Sequence, residues 1–203
     1  MSAHHDYLPA AGLRFLLPLY DPLIALLTPE KKWRGEILQT LALKTGDVVV
    51  DVGCGTGTLA VMAKAAVPGI QMIAIDPDPD ALARGQKKAR RQGQSVDFQR
   101  GFGRDTAKIV GQRRANKIVS SLAFHHMSKD EQSETLASML EALAPGGIVR
   151  IADFVGGHTG HGEGVRSLIG EFGRVGFVGA SELTSFKSMF GTAAIIGAQK
   201  PAS

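Results

Sequence analysis

A chain of 203 residues with 44% hydrophobic content and 25 glycines is long enough for one substantial core and rich in tight turns. Its single cysteine, Cys54, excludes an internal disulfide and a multi-cysteine metal site, and fits a reducing, cytoplasmic setting. The formal net charge of +4 comes from clusters such as Arg84, Lys87, Lys88, Arg90 and Arg91. Helical spacing assigns that cluster to a solvated helix face, which disfavours a nucleic-acid surface.

From the N-terminus, residues 7–27 are strongly apolar but interrupted by Arg14, Asp21 and three prolines. No uncharged run there is long enough to cross a bilayer, and neither a basic leader nor a small-residue cleavage site precedes it. Two short helices covering the core or a pocket are expected, with contact at a membrane surface as the lesser alternative. Residues 31–43 carry Trp33, Ile37, Leu38 and Leu41 at helical spacing. The organisation expected is a helical cover over 1–45 and one main domain over 46–203.

Strands are expected at 48–51, 72–76, 96–100, 117–121 and 148–153, with helices at about 58–66, 79–92, 104–112 and 129–143 between them. Such alternation means a parallel sheet with right-handed crossovers and helices on both faces. Ala144-Pro-Gly-Gly147 is expected to break the chain before the fifth strand. After it come a helix at 163–175 and strands at 179–186 and 192–199, whose short connection forces an antiparallel hairpin. The fold class expected is α/β: a Rossmann-like, doubly wound, mainly parallel seven-stranded sheet with a C-terminal antiparallel hairpin.

Chemistry concentrates where the first strand runs into Asp51-Val-Gly-Cys-Gly-Thr-Gly57. Glycines at alternate positions make a sharp turn and let the backbone lie against a ligand, and the following helix offers its N-terminal N–H groups there. A dinucleotide fingerprint needs a third glycine where Thr58 stands. The pattern present, G-x-G-x-G after an acid, resembles motif I of the class I S-adenosylmethionine-dependent methyltransferases. Asp76, ending the second strand about 20 residues on, sits where an acid accepts ribose hydroxyls, with Asp78 or Asp80 left to cap the next helix.

Further along, Ser120-Ser-Leu-Ala-Phe-His-His126, Leu143-Ala-Pro-Gly-Gly-Ile-Val-Arg-Ile-Ala-Asp153 and the last strand resemble, in order, the stations of the ubiquinone and menaquinone biosynthesis type of methyltransferase. Leu19-Tyr-Asp-Pro22 resembles the approach segment of that group. The resemblance covers nearly the whole chain. It implies S-adenosyl-L-methionine as cofactor, wrapped by Gly53, Cys54, Gly55, Thr56 and Gly57, with Asp51 near its amino end and Asp76-Pro77 at the ribose. Gly101, Phe102, Ser121 and Leu122 would complete the cofactor site. Where the family has Gly-Asp for adenine, this chain has Gly101-Phe102, leaving stacking by Phe102, substitution by Asp105 or backbone contacts as alternatives.

His125 and Asp153 stand at the carboxyl ends of the fourth and fifth strands, where parallel sheets place ligands, and an imidazole there can take a proton. The plainer alternative for the histidines is to cap helix 129–143 or to pack beneath the loop. Tyr20 and Phe124 are aromatic candidates to face a sulfonium, with Tyr20 counted among the catalytic residues. No metal is expected: the histidines of 158–163 have usable spacing, but their glycines suit a solvated lid. Ser120-Ser-Leu-Ala replaces the Asn/Asp-Pro-Pro-Tyr/Phe run that goes with base and glutamine methylation. A small hydrophobic or amphiphilic acceptor is expected, ahead of RNA or protein. A cofactor-binding protein without catalysis is the alternative, and a nicotinamide oxidoreductase is disfavoured. Oligomeric state is not legible.

Overall fold

The computed structural model describes residues 30–155, 161–188 and 191–203. Strands β1 (Val48–Val52), β2 (Gln71–Asp76), β3 (Asp97–Arg100), β4 (Ala115–Ser121), β5 (Leu143–Phe154), β6 (Val178–Ser188) and β7 (Gly191–Gln199) form one sheet in the order β3-β2-β1-β4-β5-β7-β6. Strands β1 to β5 are parallel, and β7 is antiparallel to both β5 and β6. The helices are α1 (Glu30–Leu41), α2 (Thr58–Ala66), α3 (Pro79–Arg91), α4 (Thr106–Val110), α5 (Lys129–Ala142) and α6 (His161–Val175). This is the doubly wound sheet with a closing hairpin that the alternation of elements led us to expect.

Side-chain alternation along the strands sorts the two faces. Val50, Val52, Ile118, Ile151 and Ile196 point to one side, where they pack with Leu136 and Met139 of α5 and with Phe172 of α6. Val49, Val119, Ala152 and Ile195 point to the other, where α1 and α2 cover them. Asp51 falls on this second side by the same alternation. Both sides of the central strands are buried, so their near-continuous apolar runs follow from position.

Two local expectations need correction. Residues 144–147 do not precede β5 as a break. Ala115 pairs with Leu143 and Lys117 with Ile148, so these residues bulge out of a strand that has already begun. Pro145 has no N–H for the ladder and Gly146 takes φ 73°, so the bulge falls where pairing is weakest. The helix expected over 104–112 is a 3₁₀ turn, Gly103–Asp105, followed by the single short α4, which ends where Gly111 adopts φ 96°. Elsewhere the caps fall as sequence suggests. Asp78 accepts from the amides of Asp80 and Ala81, and Ser128 with Glu131 forms a capping box on α5.

Helix α1 is docked by Trp33, Ile37 and Leu41, all buried against Leu59, Val119, Ala152 and Ile195. Trp33 also meets the ring of Phe186 at 5.8 Å between centroids. At the far end, Arg150 Nε donates to the carbonyl of Thr40 at 3.2 Å, tying the last turn to the sheet. Residues 1–29, which hold the rest of the expected cover, lie outside the described residues. Because Trp33 is the chain's one tryptophan, its emission reports the docking directly. Ile37→Ala opens a cavity at a fully buried position and is expected to cost about 2–5 kcal/mol. Urea unfolding followed by Trp33 emission checks it.

Candidate functional site

The strand order reverses between β1 and β4: the chain leaves β1 toward β2 on one side and reaches β5 on the other. Connections diverge at such a point and leave a crevice at the carboxyl ends of the strands. Here the loops after the two strands nearly touch. A Cβ built on Gly53 would lie 2.5 Å from Cβ of Ala123. Only glycine permits that approach, and Gly53 also takes φ 73°.

The glycine loop is held from beneath. The amides of Gly53 and Cys54 donate to the carbonyl of Ile75 at 2.8 and 3.0 Å. The amide of Gly55 donates to Asp76 Oδ2 at 2.7 Å, while Asp76 Oδ1 accepts from the amide of Asp78 at 2.9 Å. Asp76 is thus fixed by one hydrogen bond on each oxygen, and each oxygen retains a further lone pair. Burial pushes its pKa up, against the two amides that lower it. Gly55 faces open space, with nothing within 4 Å of where a Cβ would stand. The ring of Phe98 is wedged against both Gly57 and Gly85, whose Cβ atoms would each fall 2.6 Å from it. Lys88 Nζ donates to the hydroxyl of Thr56 at 3.0 Å and to that of Thr58, bracing the loop from α3.

Sequence reasoning placed Lys88 on a solvated face and did not single out Phe98 or Gly85. The signal was present: Ala81, Leu82, Gly85 and Ala89 form the buried stripe of α3, and Lys88 stands three residues after Gly85.

Asp51 lies in a dry place on β1. It is 1% exposed, and neither carboxylate oxygen has a hydrogen-bond partner. Burial pushes its pKa up to about 7; the Arg34 guanidinium and the amide of Ala60, too far or too tilted for a full hydrogen bond, oppose the shift, and the Asp76 carboxylate adds to it. A buried carboxylate without a well-formed hydrogen bond is costly, so a polar donor supplied from outside the chain fits this position. Cys54 is held as a thiol: burial, and then the charges of Asp51 and Asp76, raise its pKa.

At the other lip of the crevice the chain leaves β4 through Leu122, whose amide donates to the carbonyl of Ala152 at 2.8 Å and whose φ is +56°. A left-handed leucine is strained. Here it sends the side chain into the cluster beneath α1 and turns the backbone into a 3₁₀ turn, Phe124–His126. That turn brings His125 onto Asp153. His125 Nδ1 lies 2.6 Å from Asp153 Oδ1, and the amide of His125 donates to Oδ2 at 3.1 Å. Asp153 is buried, and its Oδ1 also accepts from the amide of Phe154 at 2.7 Å. A carboxylate accepts and cannot donate, so the contact puts the proton on Nδ1 and leaves Nε2 as the basic nitrogen. The His125 side chain is 32% exposed, so that nitrogen is reachable. His126 stacks on His125 at 3.9 Å between centroids, and its pKa is lowered by burial and by His125, with Asp153 opposing.

The structure therefore brings Asp51, residues 53–57, Asp76, Ser121, Leu122, His125 and Asp153 to one edge of the sheet. The helix-capping alternative for the histidines does not hold, since Ser128 caps α5. Phe124 is buried in the core on the α5 side and does not face the crevice. Asp105 is engaged by the amide of Phe102 at 3.0 Å, and the exposed Phe102 ring carries the Arg104 guanidinium at 4.6 Å. Tyr20 lies outside the described residues, as do residues 158–160, while residues 161–163 begin α6. Among the described residues no group of three or more His, Cys, Asp or Glu side chains is placed to hold a metal, and no helix is long and apolar enough to cross a membrane.

Residues 49–147 match the family model of a methyltransferase domain. The demethylmenaquinone methyltransferase of Thermus thermophilus is 28% identical over 141 residues, which cover 68% of this chain and 62% of that protein. An uncharacterised methyltransferase of Staphylococcus carnosus is 32% identical over 118 residues, 58% of this chain and 52% of that one. The chain thus spans between half and two thirds of the length of these relatives. Among solved structures, a phosphoethanolamine N-methyltransferase of Haemonchus contortus, bound to phosphomonomethylethanolamine and S-adenosylhomocysteine, superposes with a TM-score of 0.70 at 16% identity, over 84% of this chain and 52% of that one. At that identity the likeness speaks for the fold alone. With the glycine loop, the acid closing β2 and the sheet order described above, these matches identify residues 49–147 as a methyltransferase domain, similar to those of the class I S-adenosylmethionine-dependent methyltransferases.

Proposed function

We propose that the protein transfers a methyl group from S-adenosylmethionine to a small hydrophobic or amphiphilic acceptor that must lose a proton, such as a phenol or an acidic carbon. The observation that carries this reading is the His125–Asp153 pair, set across the crevice from the glycine loop. In it Asp51 meets the amino end of the cofactor, the backbone of residues 53–57 lies along the methionine and ribose, and Asp76 takes the ribose diol beside Pro77. Gly101 and Phe102 flank the adenine, and Ser121 and Leu122 close the lip. The buried oxygens of Asp51, which lack a well-formed hydrogen bond, and the open side of Gly55 fit such a ligand. When bound, S-adenosylmethionine supplies an electrophilic methyl group on a leaving sulfur, so the protein's task is alignment and proton removal.

Nε2 of His125 takes the acceptor's proton. Asp153 fixes the ring's tautomer and stabilises the imidazolium that results. The match to a demethylmenaquinone methyltransferase supports an apolar aromatic acceptor, and the apolar composition of residues 7–27 is in keeping with it. No Asn/Asp-Pro-Pro-Tyr/Phe run follows β4, which speaks against base and glutamine methylation.

The test is transfer of labelled methyl into a lysate of the host lacking this protein, separated into organic, aqueous small-molecule, RNA and protein fractions. Label in the first two supports the proposal, and label confined to RNA or protein overturns it. Cofactor binding with no label in any fraction favours the reading as a binding protein without catalysis. With the acceptor in hand, His125→Ala is expected to lower kcat by about 10²–10⁴-fold. Asp153→Asn should follow it, and S-adenosylhomocysteine affinity should be kept in both.

Asp51 adds a pH dependence. Below pH 7 it holds a proton that must leave before it can pair with an ammonium, because its pKa in the free protein is about 7. Affinity for S-adenosylhomocysteine is therefore expected to fall by about tenfold per pH unit below that point and to level off above it. Asp51→Asn should bind more weakly and with a flat profile. Titration calorimetry between pH 5 and 8 measures both.

A further inference from the structure

We propose that Gln132, near the start of α5, is the positioning residue of His125: it holds the peptide group that aims the imidazole at Asp153. This role rests on the reading of His125 as the base and deepens it.

The hold falls on one peptide bond, between Phe124 and His125. Its carbonyl accepts from Gln132 Nε2 at 2.9 Å, and its N–H donates to Asp153 Oδ2 at 3.1 Å. A trans peptide is planar and directs its carbonyl and its N–H to opposite sides, so a bond at each end fixes the rotation of the plane. The ring of His125 leaves the adjoining Cα and places Nδ1 2.6 Å from Asp153 Oδ1. Asp153 thus holds both the amide and the ring, and Gln132 holds the far end of the same plane. The turn has little grip of its own. Within it the amide of Met127 donates to Phe124 at 3.0 Å and that of His126 to Ala123 at 3.2 Å, in the poorer geometry of a 3₁₀ turn. Burial of the Phe124 ring anchors that residue but leaves the peptide after it free to rotate.

Gln132 is suited to the task by its place on the helix. Helical side chains lean toward the N-terminus, which sets this one over the turn that precedes α5. Its Nε2 also donates to the carbonyl of Met127 at 3.2 Å, so both amide hydrogens are used. Two carbonyls facing one side-chain amide require its nitrogen end there. Oε1 points the other way, with Lys129 Nζ at 3.5 Å. A glutamate of the same shape would set acceptors against acceptors.

Nitrogen-15 spectra of the histidine-labelled full chain, taken at about pH 8, above the ordinary titration range of imidazole, read which ring nitrogen carries the proton and need no acceptor. His125→Ala identifies the His125 signal among the six histidines. The unaltered chain is expected to carry that proton on Nδ1. Gln132→Met keeps the length without the donors and is expected to move the Nδ1-to-Nε2 ratio about tenfold or more toward Nε2, the size of a lost charge-assisted hydrogen bond. Gln132→Glu should move it at least as far, and gives the same readout should the first variant not fold. Urea unfolding followed by Trp33 emission reports stability separately. A glutamine that only braces the fold lowers that stability and leaves the proton on Nδ1; this result in a folded variant overturns the proposal while the reading of the His125–Asp153 pair stands. A proton on Nε2 in the unaltered chain overturns both.

Discussion

Everything at this site depends on how closely two backbones pass at the reversal of the sheet. Gly53 leaves β1 with no side chain, Ala123 follows β4 with a single methyl, and no larger pair fits between them. That contact sets the width of the crevice. It fixes the distance between the glycine loop, hung from Ile75 and Asp76, and the turn that carries His125. The strained φ of Leu122 belongs to the same constraint, because a relaxed residue there would not turn the chain back toward Asp153 within three positions. Strain of about 1–3 kcal/mol at one residue is offset by burying its side chain beneath α1.

The second organising feature is acid gathered in a dry place. Asp51 and Asp76 are both buried and both pushed up in pKa by burial, the Asp76 charge adds to the shift of Asp51, and Cys54 beside them is kept protonated. Asp76 is compensated internally by two amides, so its geometry is set before any ligand arrives. Asp51 is compensated less: the Arg34 charge and the Ala60 amide oppose its burial without overcoming it. The two acids therefore differ in role although they sit one strand apart. One is a fixed acceptor, and the other gains most when a cation comes in.

The fold was legible because its signals are local and redundant. The apolar runs of β1, β2, β5 and β7, the glycines between elements and the caps at Asp78 and Ser128 each specify an element without reference to the rest. The site was legible where a residue type is dictated by backbone geometry, as at Gly53, or by position at a strand end, as at Asp76, His125 and Asp153. What could not be read were contacts across elements. Lys88 looks like one of five basic residues on a solvated helix, and only docking of α3 turns it onto the loop. Phe124 reads as an aromatic beside the site, and only the turn after Leu122 sends it to the far side of the sheet. The bulge at residues 144–147 was misread for a related reason. Proline and glycine announce weak pairing but do not say whether the strand starts before or after them.

The division of the site between matched and unmatched chain has a physical logic. Residues 49–147 hold the glycine loop, Asp51, Asp76 and His125, the groups that the proposed cofactor and acceptor would meet. Charged groups that bear on two of them come from beyond that stretch. Arg34 bears on Asp51 from the N-terminal side, and Asp153 bears on His125 from the C-terminal side. In each pair the contacting residue sits on a loop or strand end, where the crevice needs it. Its partner is buried or half-buried on an element packed into the sheet, where burial keeps the partner's charge from being screened by water. A loop alone cannot hold an imidazole or a carboxylate in one orientation, so precision at the crevice comes from α1 and β5. Packing that holds those two elements, through Trp33 and the pairing of β5 with β7, thereby acts on the chemistry without touching it.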